Sequence, residues 1–280
     1  MSYDIRVMRR ADLEIALDWA RAEGWNPGLD DAAAFHAADP TGFLMGFVDG
    51  SPASSISVVK YSEGFAFLGL YIVLPKHRGK GLGKAIWDAG LRSAGNRTIG
   101  LDGVVAQQEN YVRSGFGLAY RSARWSGRLN GRLAIRSMVR PVGPEDLETI
   151  AAYDRRIFPA ERPAFLRAWL DSSSSRQSEA FFDERGLRGY GSIRRCVEGW
   201  KIGPLFADTP EIAEALVATL VTPAASDPIA IDIPEPNAAA RALAQRLGFT
   251  PTFETARMYR GTPPRLPLER VFGVTSLELG

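Results

Sequence analysis

The residues best suited to chemistry lie in one short loop between an apolar run and a helical pattern. Its glycines and cations are Lys76, Arg78, Gly79, Lys80, Gly81, Gly83 and Lys84. A helix N-terminus offers unpaired N–H groups and the positive end of its dipole, and glycines let an anion approach that backbone closely. The run before the loop ends at Pro75, as a strand entering a turn would. The pattern therefore predicts a site for a pyrophosphate group.

The same loop resembles the cofactor loop of a known enzyme family. Residues 78–83, Arg-Gly-Lys-Gly-Leu-Gly, fit the R/Q-x-x-G-x-G/A motif of the GNAT superfamily of N-acetyltransferases. The G-x-x-x-x-G-K-[ST] and G-x-G-x-x-G spacings of other phosphate loops are absent. The resemblance implies that loop amides hold the pyrophosphate of acetyl-CoA and that strand amides near Ile72 and Val73 orient the thioester. The implied cofactor-binding loop residues are Arg78, Gly79, Lys80, Gly81, Leu82, Gly83 and Lys84.

The hydrophobic periodicity predicts the elements that position this loop. Helices are expected over 13–22, 30–38 and 82–94, and the last would end at Gly95. Strands are expected over 43–48, 54–61, 65–73 and 99–104, with a hairpin turn over 49–52. Strands flanked by helices predict an α/β layered fold.

The plan of this first half is repeated in the second. Residues 5–13 and 138–147 each read as a short strand, an acidic residue and an amphipathic helix. The helices ending at Gly115-Phe116 and Gly248-Phe249 close the halves alike, and Asn237 suits the N-cap of the second. Two tandem GNAT-like domains are predicted, over 1–127 and 134–280, each a mixed, mostly antiparallel sheet flanked by helices. The segment 263–275 is expected to form an ordered arm.

The second half lacks the features of a cofactor loop. Its strand over 201–206 is followed by Asp208 and Glu211, which would repel a phosphate but suit the N-cap and first turn of a helix. Ala244 stands where the family often has a tyrosine. The second domain is therefore expected to keep the fold without the cofactor, and to serve as a cover, a wall of the acceptor pocket or an oligomer interface.

Tyr111 is the predicted catalytic acid. It lies four residues before Gly115, where many GNAT enzymes have a tyrosine that protonates the departing thiolate of CoA. The pKa values of a thiol and a phenol, about 8.5 and 10, are close enough for this transfer. The alternative is a tyrosine packed on its helix. Val104 replaces the asparagine that opens this helix in the family, so a shorter helix is expected.

The general base that would deprotonate the attacking amine is left open among four carboxylates. Asp102 is favoured because it follows Leu101 at the end of a strand beside the predicted cleft, although its Asp-Gly sequence also fits a turn. The other candidates are Glu23, Glu63 and Glu109.

The acceptor pocket is expected beside the loop over 21–28, since this loop often lines it in the family. Trp25 could stack on a flat substrate or attract an ammonium group, or it could fold onto the core. The predicted pocket residues are Glu23, Trp25, Tyr71 and Gln107, with Phe35 and Phe43 as further aromatic side chains.

Composition excludes several other classes of protein. The 280 residues carry a net charge of +2, which argues against a nucleic-acid surface. One cysteine, Cys196, and two distant histidines predict no internal disulfide and no metal. Without an apolar leader or a membrane-length run, a cytoplasmic protein without a membrane partner is expected.

The predicted function is direct transfer of an acetyl group from acetyl-CoA to a primary amine, without a covalent enzyme intermediate. The aromatic residues favour a small-molecule amine. An acetyltransferase for protein lysines or N-termini is one alternative, and a non-catalytic CoA-binding sensor or scaffold is another. A homo-oligomer is compatible with the sequence, which fixes neither the acyl chain nor the acceptor.

Overall fold

One continuous sheet carries both halves of the chain. A computed structural model describes residues 2–129, 133, 136–224 and 226–280, and in these residues thirteen strands form the sheet. The first half contributes strands β1 Tyr3–Val7, β2 Phe43–Val48, β3 Ser51–Lys60, β4 Phe65–Val73, β5 Thr98–Val104 and β6 Gly117–Gly127, and helices α1 Arg10–Ala22, α2 Asp31–Ala38, α3 Leu82–Ala94 and α4 Gln108–Arg113.

The second half repeats this order of elements. Its strands are β7 Val139–Pro141, β8 Arg176–Asp183, β9 Gly186–Arg195, β10 Trp200–Ala207, β11 Ile229–Pro234, β12 Thr250–Arg260 and β13 Val271–Gly273, and its helices are α5 Leu147–Asp154, α6 Pro163–Leu170, α7 Pro210–Leu220 and α8 Ala238–Arg246. No helix in the described ranges is long and apolar enough to cross a membrane.

The elements around the loop follow the sequence closely. The predicted bounds of β4 and α3 are confirmed, and α4 is short, as the missing asparagine indicated. The predicted four-residue turn over 49–52 is wrong, because β3 begins at Ser51, which pairs with Val48. Asp49 and Gly50 alone make the turn with φ values of 47° and 82°, the left-handed geometry that suits a two-residue hairpin.

The two halves exchange their last strands. β12, from the second half, lies between β5 and β6 of the first half, and β6 in turn pairs with β11 of the second half. Each half therefore completes its part of the sheet with a strand of the other. The predicted division at 127 describes the repeat in the sequence, whereas in space the halves share strands; the predicted start at 134 lies outside the described residues.

Buried charges and rings also join the halves. Asp31 on α2 lies 2.8 Å from Arg176 and 3.1 Å from Arg194, both of the second half, and all three side chains are buried. Phe35 stacks on Trp169 at 6.2 Å between ring centroids. Phe35 and Phe43 are fully buried in this core, so the prediction that they line the acceptor pocket is wrong.

Candidate active site

A cleft opens where two parallel strands separate. β4 and β5 pair from Phe65 to Leu68, and in the described chain no strand pairs with that edge of β4 beyond this point. Leu70 has a φ of 46°, a bend that a leucine rarely adopts. A cavity of about 450 Å³ fills the opening. Its lining includes these predicted site residues: Glu23, Trp25, Tyr71, Ile72, Val73, Arg78, Gly79, Gly83, Asp102, Gln107 and Tyr111.

The glycine loop sits at the mouth of this cavity. Gly79 and Gly81 have φ values of 73° and 80°, and Gly81 is the N-cap of α3. A side chain at either glycine would meet no atom within 4 Å, so both face open space. Within the described chain, the amides of Gly79, Lys80 and Gly81 donate to no backbone acceptor. Together with the free amides of the first turn of α3, from Leu82 to Lys84, they form an anion-binding backbone.

The cations of the loop are held in different ways. Arg78 donates to the Val73 carbonyl at 2.8 Å and pairs with Glu23, so it ties the loop to the end of α1. Lys80 donates to the Lys76 carbonyl at 2.9 Å, and Lys84 pairs with Asp88 at 2.6 Å. These contacts place positive charge around the free amides, where it favours a phosphate.

Tyr111 lies in the cavity wall. Its ring stacks on Trp87 at 5.4 Å between centroids, and its side chain is 8% exposed. A side chain at Gly103 would come within 2.8 Å of the ring, so this glycine allows the tyrosine to lie against β5. Burial raises the pKa of Tyr111, and the phenol therefore carries its proton at neutral pH, as an acid must.

The four predicted carboxylates differ in their surroundings. Glu63 and Glu109 are exposed, pair with Arg97 and Arg113, and lie outside the cavity lining. Asp102 lies within β5 and not in a turn, and both of its oxygens accept from Arg257 at 2.8 Å. Burial raises the pKa of Asp102, and Arg257 opposes this. With both oxygens engaged, Asp102 is poorly placed to accept a proton from an amine.

The predicted acceptor loop is fixed by the second half. The Trp25 carbonyl accepts from Arg124 at 3.2 Å, and Lys201 donates to the Asn26 carbonyl at 3.0 Å. Arg124 is held in turn by Asp232 through two hydrogen bonds of 2.7 and 2.9 Å. The ring of Trp25 is half-buried and lines the cavity, so the loop presents it in a fixed position.

The five cavity residues that follow Gly115 in the chain match no motif and were missed in the sequence. They are Arg124, Phe253, Thr255, Leu277 and Glu278. Phe253 and Thr255 lie on the exchanged strand β12. The Thr255 hydroxyl is buried and has no hydrogen-bond partner among the described residues. Leu277 and Glu278 belong to the chain beyond the predicted arm, whose apolar composition was the only signal that this part of the chain is ordered.

The corresponding cleft of the second half is occupied by its own chain. β10 and β11 pair from Trp200 to Ile202, and β13 then pairs with β10 at Leu205 and Phe206. A cavity between the sheet and helices α7 and α8 in this half measures only about 10 Å³.

Asp208 lies just before α7, the helix of the second half that corresponds to α3. The predicted N-cap Asp208 is wrong, because Thr209 caps α7, while Glu211 does lie in its first turn. Asp208 instead accepts from Tyr153, Arg188 and Arg270. Although burial alone would raise it, the pKa of Asp208 is lowered by these donors.

Comparison with known proteins gives the family. Residues 10–116 match the model described as the Acetyltransferase (GNAT) family, and residues 150–273 match an Acetyltransferase (GNAT) domain. A holothin acyltransferase of Pseudoalteromonas sp. is 32% identical over 268 residues, which is 95% of this chain and 91% of that protein. The chain belongs to the GNAT acyltransferases and carries two GNAT domains in tandem.

Solved structures show the same fold. A Pyrococcus horikoshii protein named as a candidate acetyltransferase superposes with a TM-score of 0.82 at 23% identity, covering 99% of this chain and 96% of that one. A tandem GNAT protein from the clavulanic acid biosynthesis pathway gives a TM-score of 0.64 at 12% identity, covering 94% and 100%. The predicted fold class is therefore confirmed.

Proposed function

We propose that this acyltransferase moves an acetyl group from acetyl-CoA directly to a primary amine of a small molecule. The observation that supports this best is the continuity of the glycine loop, the free edge of β4 and the 450 Å³ cavity. A pyrophosphate at the amides from Gly79 to Lys84 would direct the pantetheine arm along β4. The thioester would then lie near Ile72 and Val73, whose amides are suited to orient it and to polarise its carbonyl.

We assign Tyr111 as the general acid that protonates the departing thiolate in this reaction. Its phenol lies in the cavity wall and carries its proton at neutral pH, although burial raises its pKa and so makes it a weaker acid towards the thiolate than an exposed tyrosine. Cys196 is buried outside the cavity lining, and burial raises the pKa of its thiol. Direct transfer therefore fits the site better than a cysteinyl intermediate.

The walls of the cavity favour a small acceptor over a polypeptide. Trp25, Tyr71 and Phe253 give it aromatic surfaces, and residues of both halves of the chain line it. The relative that matches nearly the whole chain is named for acyl transfer to holothin. The second half would bind no cofactor, because β13 fills its cleft.

Calorimetric titration with acetyl-CoA tests the cofactor assignment, and one site per chain is expected. Thiol release is then followed for phenethylamine, tyramine and tryptamine, with a lysine-containing peptide and a peptide with a free N-terminus beside them. Turnover of the small amines supports the proposal. Preference for a peptide would support a protein acetyltransferase, and binding without turnover of any acceptor would support a CoA sensor.

A further inference from the structure

The closing segment, residues 271–280, runs through both halves and is buried along almost its whole length. It begins as β13 in the cleft of the second half and continues to β4 of the first half. There, a side chain at Gly69 would lie 2.2 Å from the carbonyl oxygen of Glu278. The segment thus brings residues of the second half to the strand that borders the proposed cofactor.

Contacts from both halves fix the closing segment. Val274 donates to the Asp232 carbonyl at 2.9 Å, and Arg162 donates to the Thr275 hydroxyl at 3.0 Å. Tyr61 of the first half donates to the Leu279 carbonyl at 3.0 Å. Glu278 lies between these anchors, so the backbone that carries its carboxylate is held on both sides.

Glu278 differs from the other carboxylates of the cavity. Glu23 pairs with Arg78 and Asp102 pairs with Arg257. Glu278 is 5% exposed and lines the cavity, yet no described residue donates a hydrogen bond to its side chain or lies within 4 Å as an ion-pair partner. A buried carboxylate without a partner is unfavourable, and a cationic ligand would relieve it.

The neighbouring charges leave room for such a ligand. Arg124, a cation of the wall whose charge interacts with Glu278, has two of its donors on Asp232 and a third on the Trp25 carbonyl. Thr255, also in the wall, has a buried hydroxyl without a described partner. Other titratable or charged groups line the same cavity, pair with a group that lines it, or interact electrostatically with Glu278: Glu23, Tyr71, Arg78, Asp102, Tyr111, Arg124, Arg194, Asp232 and Arg257.

We propose that the Glu278 carboxylate holds the ammonium group of the acceptor and takes its proton, an inference that rests on the acetyltransferase function proposed above. Proton transfer from R–NH₃⁺ gives a neutral carboxyl group and R–NH₂. The nitrogen lone pair forms the C–N bond, and the C–S bond breaks as CoA leaves as a thiolate. Tyr111 gives its proton to the thiolate and regains one from nitrogen, and the Glu278 proton passes to solvent.

This assignment gives the second half a definite role in the reaction. It supplies the proton acceptor from the closing segment and the cavity residues Phe253 and Thr255 from β12. The acceptor class that fits is a primary ammonium next to an aromatic or other flat apolar group, since Trp25 and Phe253 line the same cavity as Glu278.

Glu278→Gln removes the charge at constant shape, and Glu269→Gln, at an exposed glutamate just before the segment, is the matched control. Binding of phenethylammonium and of neutral 2-phenylethanol to the CoA-saturated protein is measured by calorimetry. We expect the wild type and Glu269→Gln to prefer the ammonium about tenfold or more, and Glu278→Gln to lose this preference. Acetyl-CoA affinity should be equal in all three proteins.

The pH dependence of turnover separates a proton acceptor from a structural residue. At pH 7 we expect Glu278→Gln to be about 10²-fold slower with the best amine, because the amine must then lose its proton without help. The deficit should shrink towards pH 9.5, where more of the amine is neutral. For Glu278→Ala, sodium formate should restore part of the rate, which gives a second test if the glutamine variant folds poorly.

Two binding results would overturn the assignment: no preference for the ammonium in the wild type, or an equal preference in Glu278→Gln. A rate deficit independent of pH, without rescue by formate, would also overturn it. Failure of the acetyltransferase function itself looks different, because the wild type would then bind no acetyl-CoA or acetylate no amine, whereas the ammonium preference needs no turnover.

Discussion

Gly69 and Gly203 occupy matching positions in the two halves, and the closing segment passes against both. Each glycine directly follows the last residue that pairs with the next parallel strand, Leu68 in β4 and Ile202 in β10. A side chain at Gly203 would lie 2.5 Å from the Val274 carbonyl oxygen, and one at Gly69 would lie 2.2 Å from that of Glu278. One segment therefore fills the cleft of the second half and borders the open cleft of the first.

Gly69→Ala should displace the closing segment from β4. The added methyl group would overlap the Glu278 carbonyl, and overpacking of this kind costs about 1–3 kcal/mol of unfolding free energy. We expect a comparable loss in urea unfolding, together with a larger fall in turnover than in acetyl-CoA affinity, because Glu278 moves with its backbone.

Gly64→Ala is the control for this change. Its added methyl group would meet only the Ser62 hydroxyl, at 3.9 Å, and it lies in an exposed turn. Equal effects of the two substitutions would show that the approach of the segment to Gly69 is unimportant.

Gly81→Trp should abolish binding of acetyl-CoA. The indole would project into the open space before the free amides, which the pyrophosphate needs. Gly50→Trp is the matched control. Gly50 also has a φ near 80° and open space around it, but it lies in a hairpin away from the loop. Both variants should lose about 1 kcal/mol of unfolding free energy from the strained backbone. Calorimetry should find that only Gly81→Trp fails to bind.

The sequence predicts the local parts of this architecture. β4, the glycine loop and α3 are consecutive, and their signals are a buried apolar run, glycines with cations, and a helical period. The exchange of β6 and β12 could not be predicted from the sequence, because strand order depends on pairing between residues more than a hundred positions apart. The repeat in the sequence does not indicate whether the last strand of each half pairs within its own half or with the other half.

Glu278 was missed for a related reason. Its neighbours, Leu277 and Leu279, match no motif, and only the path of the closing segment brings the carboxylate to the cavity. The sequence favours Asp102 as the base because it predicts this residue beside the cleft, and Asp102 does line the cavity. No motif indicates that Arg257, on an exchanged strand, donates to both oxygens of Asp102.

Tyr111→Phe should slow the chemical step and leave acetyl-CoA affinity nearly unchanged. Loss of a general acid lowers turnover by about 10²–10⁴-fold, while the ring keeps its contact with Trp87. Since burial raises the pKa of this phenol, the wild-type rate should not fall through tyrosine ionisation below about pH 10. Steady-state kinetics across pH, with calorimetry for the cofactor, would check both statements.

Tyr120→Phe serves as the comparison for this variant. Burial raises the pKa of Tyr120 as well, but its side chain lies outside the cavity lining. If the two variants are equally active, Tyr111 has no part in proton transfer.

Cutting the chain between the halves should not separate them. A protease site inserted between Gly127 and Arg136 leaves β6 bonded to β11 and β12 bonded to β5, so each fragment remains part of the sheet of the other. We expect the cut protein to elute as one species in gel filtration, and residues 1–127 expressed alone to aggregate through the uncovered edges of β5 and β6. Two separate, soluble fragments after cutting would contradict the exchanged topology.

Asp31→Asn should weaken the junction between the halves. Removing one partner of a buried ion pair leaves the other charge uncompensated, and the expected loss is about 3–5 kcal/mol of unfolding free energy at pH 7. Although burial alone would raise it, the pKa of Asp31 is lowered by Arg194 and Arg176. Because the folded-state pKa is depressed, its stabilisation is present above the unfolded value, about 3.9, and is lost as the pH falls below it.

The pH dependence of unfolding therefore distinguishes Asp31 from an ordinary carboxylate. Between pH 7 and pH 3, the wild type should lose more unfolding free energy than Asp31→Asn, so the two proteins become more alike in acid. Asp18→Asn is the control, since Asp18 forms an exposed pair with Arg21 at 3.5 Å, worth about 0–1 kcal/mol. A constant difference between the wild type and Asp31→Asn across this range would mean that the carboxylate charge does not stabilise the junction.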